Sequence, residues 1–393
     1  MNEVFLVAGV RTAIGTFGGS LRDVAPTRLA ASVTREAIRR SGLDAAAVGH
    51  VIFGQVIPTE PDDAYMGRIA ALNAGLPDSV PAMTLNRLCG SGLQAILSAA
   101  QAVMLGDTDI AVGGGAECMS RAPFISTSTR WGTRMGDVAL LDALQGALTD
   151  PFNRILMGVT AENVAERYAI SRNEQDALAV LSHQRAQAAL AEGRFKDQIL
   201  PIEVRTRGKV AVFDTDEHVR MNVGMDDLAG LPTIFKKDGG TVTAGNASGI
   251  NDGAAAVVLA SASAVEKYDL RPMARLVAYA HSGVEPAYMG IGPIPAVRLA
   301  LERAGLSVDD LDVIESNEAF AAQACAVNKI LGFDPEKVNP NGSGISLGHP
   351  VGATGAINTV KLIYEMQRRS ARYGLVTMCI GGGQGIAAIF ERV

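Results

Sequence analysis

The order of apolar and polar positions predicts alternating strands and helices. Residues 4–10 form a short apolar run of the length of a buried strand. Residues 37–43 carry apolar positions at helical spacing and end in Gly-Leu, and the apolar residues 51–54 then predict another buried strand. Strands that alternate with helices and glycine-rich turns are typical of a mixed or parallel sheet covered by helices. The pattern therefore predicts an α/β fold.

This pattern occurs twice along the chain. The helix end at 37–43 with its following strand is echoed by 300–306 with its following strand. In the same order, Leu88-Cys89-Gly90-Ser91-Gly92 opens a helical stretch that leads to a strand and three glycines, and Gly348-His349-Pro350-Val351-Gly352 does the same later. Matches in the same order at a nearly constant spacing predict two copies of one α/β unit. Chance similarity between α/β units is the alternative.

The segment between the two copies, roughly residues 120–248, has a different pattern. It begins with poor periodicity, and residues 161–193 then predict helix, with Ser171 and Glu174 placed as a capping box. Residues 214–240 are rich in Gly, Pro and Asp and predict a loop. A long irregular insertion in a compact protein is usually functional.

Composition and charge narrow the class of protein. A chain of 393 residues favours two or three domains, and 48% hydrophobic with 19% charged residues favours a packed globular fold. A net charge of −6 gives no reason to expect a nucleic acid as the main partner. The longest apolar runs, such as 254–260, predict core strands and not membrane spans, and no basic flank or leader precedes the first strand. We expect a cytoplasmic protein.

The cysteines and histidines do not have the spacing of a metal site or a disulfide scaffold. The four cysteines form no CxxC pair, and the five histidines form no HxxxH or HExxH pair. Glycine is the unusual residue, since 43 of 393 exceeds the common share of about 7%. The glycines cluster in a few tracts, and we expect the catalytic residues to lie there.

Cys89 is the sharpest candidate because it lies at a predicted strand-to-helix transition. The N–H groups and the positive dipole end of a helix N-terminus favour a thiolate. His349 has the equivalent place in the second copy. If the copies pack about a pseudo-twofold axis, the two residues face one cleft as a nucleophile and its base. The alternatives are a buried structural cysteine and a structural histidine.

Two further sites lie at predicted strand ends. Cys379 ends a strand before the glycines that begin at Gly381, so its thiol can act as an acid or base while glycine N–H groups form an oxyanion hole. Asn317 follows the repeated strand, where α/β sites form, although it and Glu318 are also consistent with a helix cap. The cysteines and histidines without such context are interpreted as structural or surface residues: Cys118, Cys325, His50, His183, His218 and His281.

Taken together, these tracts resemble the thiolase family, and in particular the short bacterial acetyl-CoA acetyltransferases and β-ketothiolases. The likeness runs from end to end, and its motifs are long. The matching segments are 10–15, 86–94, 113–120, 157–163, 243–252, 317–320, 339–352 and 379–385.

The resemblance implies the five-layer αβαβα thiolase fold, with two similar halves and an inserted loop domain. Residues 1–120, completed by about 249–270, correspond to the N-terminal half. Residues 121–248 correspond to the loop domain that binds CoA, and residues 271–393 to the C-terminal half.

The resemblance also assigns roles to single residues. It implies that Cys89 accepts the acyl group, that His349 is its base and that Cys379 is the acid/base for the α-proton of the second acyl-CoA. Asn317, through a water, would form the first oxyanion hole with His349, and the N–H groups of Cys89 and Gly381 would form the second. The residues that match CoA and substrate contacts are Leu148, Met157, Arg220, Phe235, Ala244, Ser248, Gly249, Met289, Ala319 and Phe320.

The implied activity is the reversible Claisen condensation of two acyl-CoA molecules to a 3-ketoacyl-CoA and CoA. No metal or redox cofactor is implied, acyl-CoA and CoA are the expected partners, and a homotetramer built as a dimer of dimers is the expected assembly. The alternatives are a broad-range degradative 3-ketoacyl-CoA thiolase of fatty-acid β-oxidation or aromatic catabolism, a catalytically silent acyl-CoA carrier, and a cysteine hydrolase.

The chain departs from the family pattern at three places. Leu156 replaces the His that often precedes Met157 in acetoacetyl-CoA enzymes, and Cys118 replaces a Ser. The variant Gly342-Ser343-Gly344 before His349 resembles a β-ketothiolase subgroup that feeds polyhydroxyalkanoate synthesis with slightly longer chains. An apolar Leu156 favours tolerance of an added methylene, whose burial is worth about 0.8 kcal/mol.

Overall fold

The computed structural model describes residues 2–206 and 209–393, so Met1 and residues 207–208 of the predicted loop domain lie outside it. The strands are β1 Val4–Thr12, β2 Gly15–Thr16, β3 His50–Gly54, β4 Ala82–Leu85, β5 Ile110–Cys118, β6 Phe124–Ile125, β7 Leu141–Asp142, β8 Ile199–Leu200, β9 Ile202–Thr206, β10 Lys209–Phe213, β11 Asn251–Ser261, β12 Ala274–Gly283, β13 Val313–Ser316, β14 Tyr373–Ile380 and β15 Gln384–Arg392.

Helices lie between these strands in most of the chain. They are α1 Pro26–Ser41, α2 Met66–Ala74, α3 Ser91–Leu105, α4 Ala143–Ala147, α5 Met157–Tyr168, α6 Arg172–Ala191, α7 Met225–Ala229, α8 Ala262–Lys267, α9 Pro293–Ala304, α10 Ala321–Leu331 and α11 Thr354–Arg369. The predicted α/β order is confirmed.

The strands form two similar sets. The first set has the order β4-β3-β5-β11-β1, and the second has the order β12-β15-β14-β13. They are joined by only two residue pairs between β1 and β12, Phe5 with Arg275 and Leu6 with Ala274. In each set a parallel pair, β3/β5 or β13/β14, is followed by two antiparallel pairs, and the first set has the additional parallel pair β3/β4. The halves therefore repeat one strand pattern.

A local irregularity also repeats. The register of β1 against β11 shifts between Leu6 and Ala8, and the register of β12 against β15 shifts between Leu276 and Ala278. A bulge at the same place in both first strands is a designed feature of a fold and not a defect. It supports the interpretation of the sequence as two copies of one unit.

Helix composition explains the layers. The outer helix α1 packs on β1 and β11 and keeps Arg28, Arg35 and Arg39 on its exposed face, whereas α3 and α11 pack against each other and against strands. Most residues of α3 and of α11 are buried, including the polar residues Asn358 and Lys361 of α11, so both helices lie in the interior. The result is an αβαβα arrangement with α3 and α11 in the middle layer.

This central position accounts for an unexpected hydropathy signal. The 18-residue stretch Leu88–Leu105, which contains α3, is long and apolar enough to cross a membrane by length and composition alone. The pattern of apolar runs in the sequence predicts core strands and no such stretch. In the structure 61% of that stretch is buried inside the protein.

The insertion differs from the sequence prediction in two details. The single helix predicted over 161–193 is two helices, α5 and α6, because Ala169 adopts a left-handed conformation with φ 51°. The predicted capping box then begins α6: Ser171 Oγ accepts from the N–H of Glu174, and the Glu174 carboxylate accepts from the N–H of Ser171. The predicted loop 214–240 contains the short helix α7.

Candidate active site

A tight turn between β4 and α3 presents Cys89. Asn86 Oδ1 accepts from the N–H of Leu88 at 2.8 Å, and Ser91 Oγ donates to the carbonyl oxygen of Leu88 at 2.7 Å. Leu88 itself has φ 47°, a conformation that branched residues rarely adopt without support from their surroundings. These bonds hold Cys89 directly before the helix, where it is partly exposed to a cavity that His349 and Gly381 also line, the main cavity of the site.

The two central helices meet at their N-termini. A Cβ on Gly92 of α3 would lie 2.6 Å from the nitrogen of Ala356, and a Cβ on Gly355 of α11 would lie 2.3 Å from the nitrogen of Leu93. Only glycine allows two backbones to approach so closely. The contact is reciprocal, as a pseudo-twofold axis requires, and it places Cys89 and His349 on one cavity.

Three hydrogen bonds fix His349 and the residues around it. Its N–H donates to Asn251 Oδ1 at 2.9 Å, and the Asn251 amide donates to the carbonyl oxygen of Gly15. Its Nδ1 lies 2.7 Å from Thr354 Oγ1. Burial lowers the pKa of His349 to about 4, so the imidazole is neutral at pH 7 and has a nitrogen free to accept a proton.

Asn317 lies beside the imidazole. It follows β13, its N–H donates to the carbonyl oxygen of Thr377, and its Nδ2 lies 3.4 Å from Nε2 of His349. Its Oδ1 is buried and accepts no hydrogen bond from the residues that the structure describes. A buried acceptor in this state fits a water or a ligand atom.

The two thiols have different surroundings. Desolvation raises the pKa of the Cys89 thiol, although the N–H groups of Gly381 and of Cys89 itself favour the thiolate in part. Cys379 is fully buried among Met157, Met289 and Ala319. Burial raises the pKa of the Cys379 thiol strongly, and a charge on Cys89 would raise it further. Both thiols therefore favour the protonated form, and their titrations are coupled.

The N–H groups of Gly381 and of Cys89 itself lie close enough to the Cys89 sulfur to lower the pKa of its thiol. The N–H of Cys89 is at the start of α3, and the N–H of Gly381 follows β14. Two converging backbone donors of this kind stabilise a developing oxyanion. The resemblance implies the same pair of N–H groups for an oxyanion hole, and that role stays a prediction.

The main cavity has a volume of about 400 Å³. It brings together Cys89, His349 and Gly381, while Asn317 and Cys379 lie buried behind its wall. It also contains every residue that the sequence analysis named for CoA and substrate contacts: Leu148, Met157, Arg220, Phe235, Ala244, Ser248, Gly249, Met289, Ala319 and Phe320. These residues come from the insertion and from both halves.

Sequence reasoning missed several apolar residues of this cavity: Val56, Leu88, Met119, Ala147, Ile234, Ala247, Ile250 and Val351. Val56 follows the end of β3, and Val351 is two residues after His349. Their places at a strand end and inside a glycine-rich motif are signals that could have identified them. The sequence offers no such signal for Ile234, which lies in the predicted loop.

Leu156 lies at a second cavity and not at the first. This neighbouring cavity has a volume of about 290 Å³. Its lining is Asp142, Leu144, Gln145, Leu148, Leu156, Met157, Gly158, Phe235, Ile250 and Phe320, of which five residues also line the main cavity. Ser343, the other residue considered for chain length, instead contacts the carbonyl oxygen of Ser316 on β13. Of these two residues, only Leu156 lines one of the two cavities.

Metal ligation has no candidate among residues 2–206 and 209–393, since no three of their His, Cys, Asp and Glu side chains lie close enough to share an ion. The four cysteines are free thiols. The groups that line the main cavity include the thiol of Cys89, the imidazole of His349 and the backbone of Gly381.

Comparisons with known proteins agree with this geometry. Residues 4–263 match the family model of the thiolase N-terminal domain, and residues 270–392 match that of the thiolase C-terminal domain. The chain is 64% identical to the beta-ketothiolase BktB of Cupriavidus necator, over 100% of this chain and 99% of that protein. It is 50% identical to an acetyl-CoA acetyltransferase of Pseudomonas aeruginosa, with 100% of each chain covered.

Solved structures give the same result. The acetyl-CoA acetyltransferase of Bacillus anthracis superimposes with a TM-score of 0.98 at 48% identity, over 100% of this chain and 99% of that chain. Human mitochondrial 3-ketoacyl-CoA thiolase in complex with CoA superimposes with a TM-score of 0.96 at 44% identity, over 100% of this chain and 98% of that chain.

Proposed function

The chain belongs to the thiolase family, and from this premise we propose how its residues divide the reaction and which thioesters it uses. It is an acyltransferase that condenses two acyl-CoA molecules reversibly to a 3-ketoacyl-CoA and CoA. Acyl-CoA and CoA are its substrates. Its relatives favour this condensation over a broad-range degradative role.

In the first half-reaction, Cys89 attacks the carbonyl of an acyl-CoA. His349 takes the proton of the Cys89 thiol, because its neutral imidazole lies on the same cavity. The N–H groups of Cys89 and Gly381 stabilise the oxyanion. The carbon–sulfur bond to CoA breaks, the CoA thiolate takes a proton from Cys379, and an acyl-Cys89 thioester remains.

In the second half-reaction, the Cys379 thiolate removes the α-proton of acetyl-CoA. Asn317, through a water, and His349 stabilise the enolate oxygen. The Oδ1 of Asn317 supports this role, because it is buried and accepts no hydrogen bond from the described residues. The carbanion attacks the acyl-Cys89 carbonyl, and Cys89 leaves as a thiolate that recovers its proton from His349. The product is a 3-ketoacyl-CoA, and every proton returns to its starting group.

The observation that carries these assignments is the convergence of Cys89, His349 and Gly381 on one cavity, at the meeting point of two helix N-termini. The test is incubation with labelled acetyl-CoA, followed by digestion and mapping of the adduct. We expect the label on Cys89 alone, and we expect no turnover by Cys89→Ala. A stable acyl group on another cysteine, with turnover by Cys89→Ala, would contradict the assignment.

Variants of the other two groups separate the half-reactions. His349→Ala should slow acylation of Cys89, because nothing then takes the thiol proton. Cys379→Ser should still acquire the label but fail to form the carbon–carbon bond. Normal condensation rates in Cys379→Ser would refute the role given to Cys379.

The proposed substrates are short thioesters: acetyl-CoA with acetyl-CoA or a slightly longer acyl-CoA, so that thiolysis uses the four- and five-carbon 3-ketoacyl-CoAs at comparable rates. The apolar cavity beside Leu156 supports an added methylene. The test is kcat/KM for thiolysis of the four-, five-, six- and ten-carbon compounds. A maximum at ten carbons would instead indicate a degradative, broad-range enzyme.

The proposal extends to the setting of the enzyme: a cytoplasmic homotetramer that needs no metal or redox cofactor and supplies 3-ketoacyl-CoA for polyhydroxyalkanoate synthesis. The exposed apolar side chains of Trp131 and Met135, 91% and 95% accessible, support association between copies. Light scattering after size exclusion tests the assembly, and activity after exhaustive treatment with a chelator tests the need for a metal.

A further inference from the structure

Glu117 has a fully buried carboxylate that the proposed reaction does not use. It lies near the end of β5, and its Oε2 accepts from the N–H of Val56 and from the N–H of Gly352, each at 2.9 Å. Its Oε1 accepts from the N–H of Ile57 at 3.2 Å. Hydrogen bonds of backbone N–H groups to a carboxylate are among the strong ones in proteins. One side chain thus holds two separate segments of backbone.

These segments belong to the two halves of the molecule and both reach the main cavity. Val56 follows β3 of the first half and lines the cavity. Gly352 lies three residues after His349 in the second half, and Val351 between them also lines the cavity. A displacement of the Glu117 carboxylate would therefore move the segment that carries His349.

Close packing makes this link rigid. A Cβ on Gly352 would lie 2.4 Å from Glu117 Oε2, and a Cβ on Gly115 would lie 2.3 Å from the carbonyl oxygen of Gly352. Both positions accept only glycine, so the carboxylate fills the space where a side chain would otherwise be. The segment that carries His349 is therefore closely packed against Glu117 and β5.

Burial raises the pKa of Glu117 to about 8, although the three N–H groups favour the carboxylate, so most of Glu117 is uncharged at pH 7. Its ionised form, which dominates above about pH 8, opposes a Cys89 thiolate. The other titratable groups near Glu117 or Cys89 are Asp63 on the segment after β3, Cys118 on β5, Cys379 at the end of β14, and His349.

We propose that Glu117 is a positioning residue of this site: it holds the His349–Gly352 segment against the segment after β3, so that His349 stays in place to take the Cys89 proton. This inference rests on the proposed roles of Cys89 and His349. It gives a physical reason for a buried carboxyl group that accepts hydrogen bonds from backbone N–H groups of both halves.

Two variants separate position from charge. Glu117→Gln keeps the length of the side chain, removes the charge and replaces one acceptor oxygen by a donor. Glu117→Asp keeps the charge but shortens the reach to the two segments. The measurements are the kcat and KM of acetoacetyl-CoA thiolysis and the pH dependence of iodoacetamide alkylation of the Cys89 peptide, followed by mass spectrometry.

We expect kcat to fall about tenfold or more in both variants, because misplacement by about 1 Å can cost a hundredfold. The KM for CoA should change little, since Val56 and Val351 of the two held segments are not among the predicted CoA contacts. The alkylation midpoint of Cys89 should fall by about one pH unit in Glu117→Gln alone, because only that variant removes a nearby negative charge.

The matched control is Glu162→Gln. Glu162 is also buried and its carboxylate also holds a loop, by accepting from the N–H groups of Thr241 and Val242 at 2.9 and 2.8 Å, but it lies in the insertion. Its loss should leave the alkylation midpoint of Cys89 unchanged. Labelling of wild-type Cys89 by acetyl-CoA is measured in parallel, and its failure would refute the proposed function itself.

Wild-type kcat in both Glu117 variants would overturn the inference. A loss of kcat that follows the loss of thermal stability, with an unchanged midpoint in Glu117→Gln, would also overturn it, because it would show a structural role only. If Glu117→Gln does not fold, Glu117→Asp decides: a tenfold loss of kcat at wild-type KM supports the inference, and wild-type kcat rejects it.

Discussion

His349 and Thr354 form a hydrogen bond at the start of α11, with 2.7 Å between Nδ1 and Oγ1. Thr354 Oγ1 also lies 2.9 Å from the carbonyl oxygen of Pro350, one turn earlier, to which a helical threonine can donate its single proton. With that proton committed, Oγ1 accepts from the N–H of Nδ1. We assign the other nitrogen, Nε2, as the one that is free to take the Cys89 proton.

This relationship predicts the effect of Thr354→Val. The isosteric valine removes the acceptor, so His349 loses its preferred tautomer, and we expect kcat for thiolysis to fall about tenfold, or roughly 1.4 kcal/mol of barrier. Thr354→Ser should restore most of the rate, because the hydroxyl is kept. The readouts are kcat/KM and the rate of Cys89 acylation by labelled acetyl-CoA.

The same helix offers the control for this prediction. Thr359 is also buried, and its hydroxyl also donates to a carbonyl oxygen four residues earlier, that of Gly355. Among the described residues, no histidine forms a hydrogen bond with Thr359. Thr359→Val should leave the acylation rate unchanged. Equal losses in both valine variants would show that the helix, and not the tautomer, is what Thr354 protects.

The buried state of His349 also predicts a pH dependence of stability. Its pKa is about 4 in the folded protein and about 6.5 in the unfolded chain, so between these values the unfolded chain binds more protons. Stability is therefore lost as the pH falls from about 6.5 toward 4. For His349 alone this amounts to about 2 kcal/mol at pH 5.

The check is thermal unfolding at pH 7 and pH 5. We expect the decrease in Tm between these values to be smaller in His349→Asn than in the wild-type protein. Burial also lowers the pKa of His183 and of His218 to about 4, so part of the decrease remains in the variant. An identical decrease in both proteins would show that His349 is not held neutral by the fold.

The repeat explains why so much of the site could be predicted. Cys89 and His349 occupy matched places in two glycine-rich motifs. Neighbouring residues in the sequence are enough to identify each motif and the helix that it begins. Thr354 and Glu117 were missed because their roles depend on which backbone they meet. Glu117 contacts Gly352, 235 residues away along the chain, and no periodicity encodes such a contact.

The prediction of a single helix over 161–193 was wrong for a different reason. Ala169 interrupts the helix with φ 51°, although alanine is the best helix former and gives no stop signal. The capping box at Ser171 was visible and marks the start of α6. The start signal should therefore have outweighed the continuous helical composition.

A buried ion pair connects the first strand to the insertion. Arg11 on β1 makes a bidentate pair with Asp216, at 2.8 and 2.9 Å, and neither side chain is exposed to solvent. Asp216 also accepts from the N–H of Ile14. Arg220 follows four residues later and lines the main cavity, so we expect this pair to help position a predicted CoA contact.

We expect Asp216→Ala to destabilise the protein by about 3–5 kcal/mol, because it leaves the Arg11 charge buried without a partner. The KM for CoA should rise, while acylation of Cys89 at saturating acetyl-CoA should change little. Urea unfolding and steady-state kinetics measure the two effects. The double variant Arg11→Met with Asp216→Leu should recover stability, and a double variant as unstable as the single one would contradict this account.

The last prediction concerns acyl-chain length and depends on the cavity beside Leu156. Leu144, Leu148 and Leu156 give this cavity an apolar wall, so an added methylene gains about 0.8 kcal/mol, or roughly fourfold in binding, if it enters there. Leu156→His places a polar group in that wall. We expect the ratio of kcat/KM for the five-carbon to the four-carbon 3-ketoacyl-CoA to fall about fourfold, with acetoacetyl-CoA thiolysis nearly unchanged. Leu156→Met, which keeps the wall apolar, should keep the wild-type ratio. If both variants keep that ratio, the acyl tail does not reach Leu156, and chain length is set by the residues of the main cavity alone.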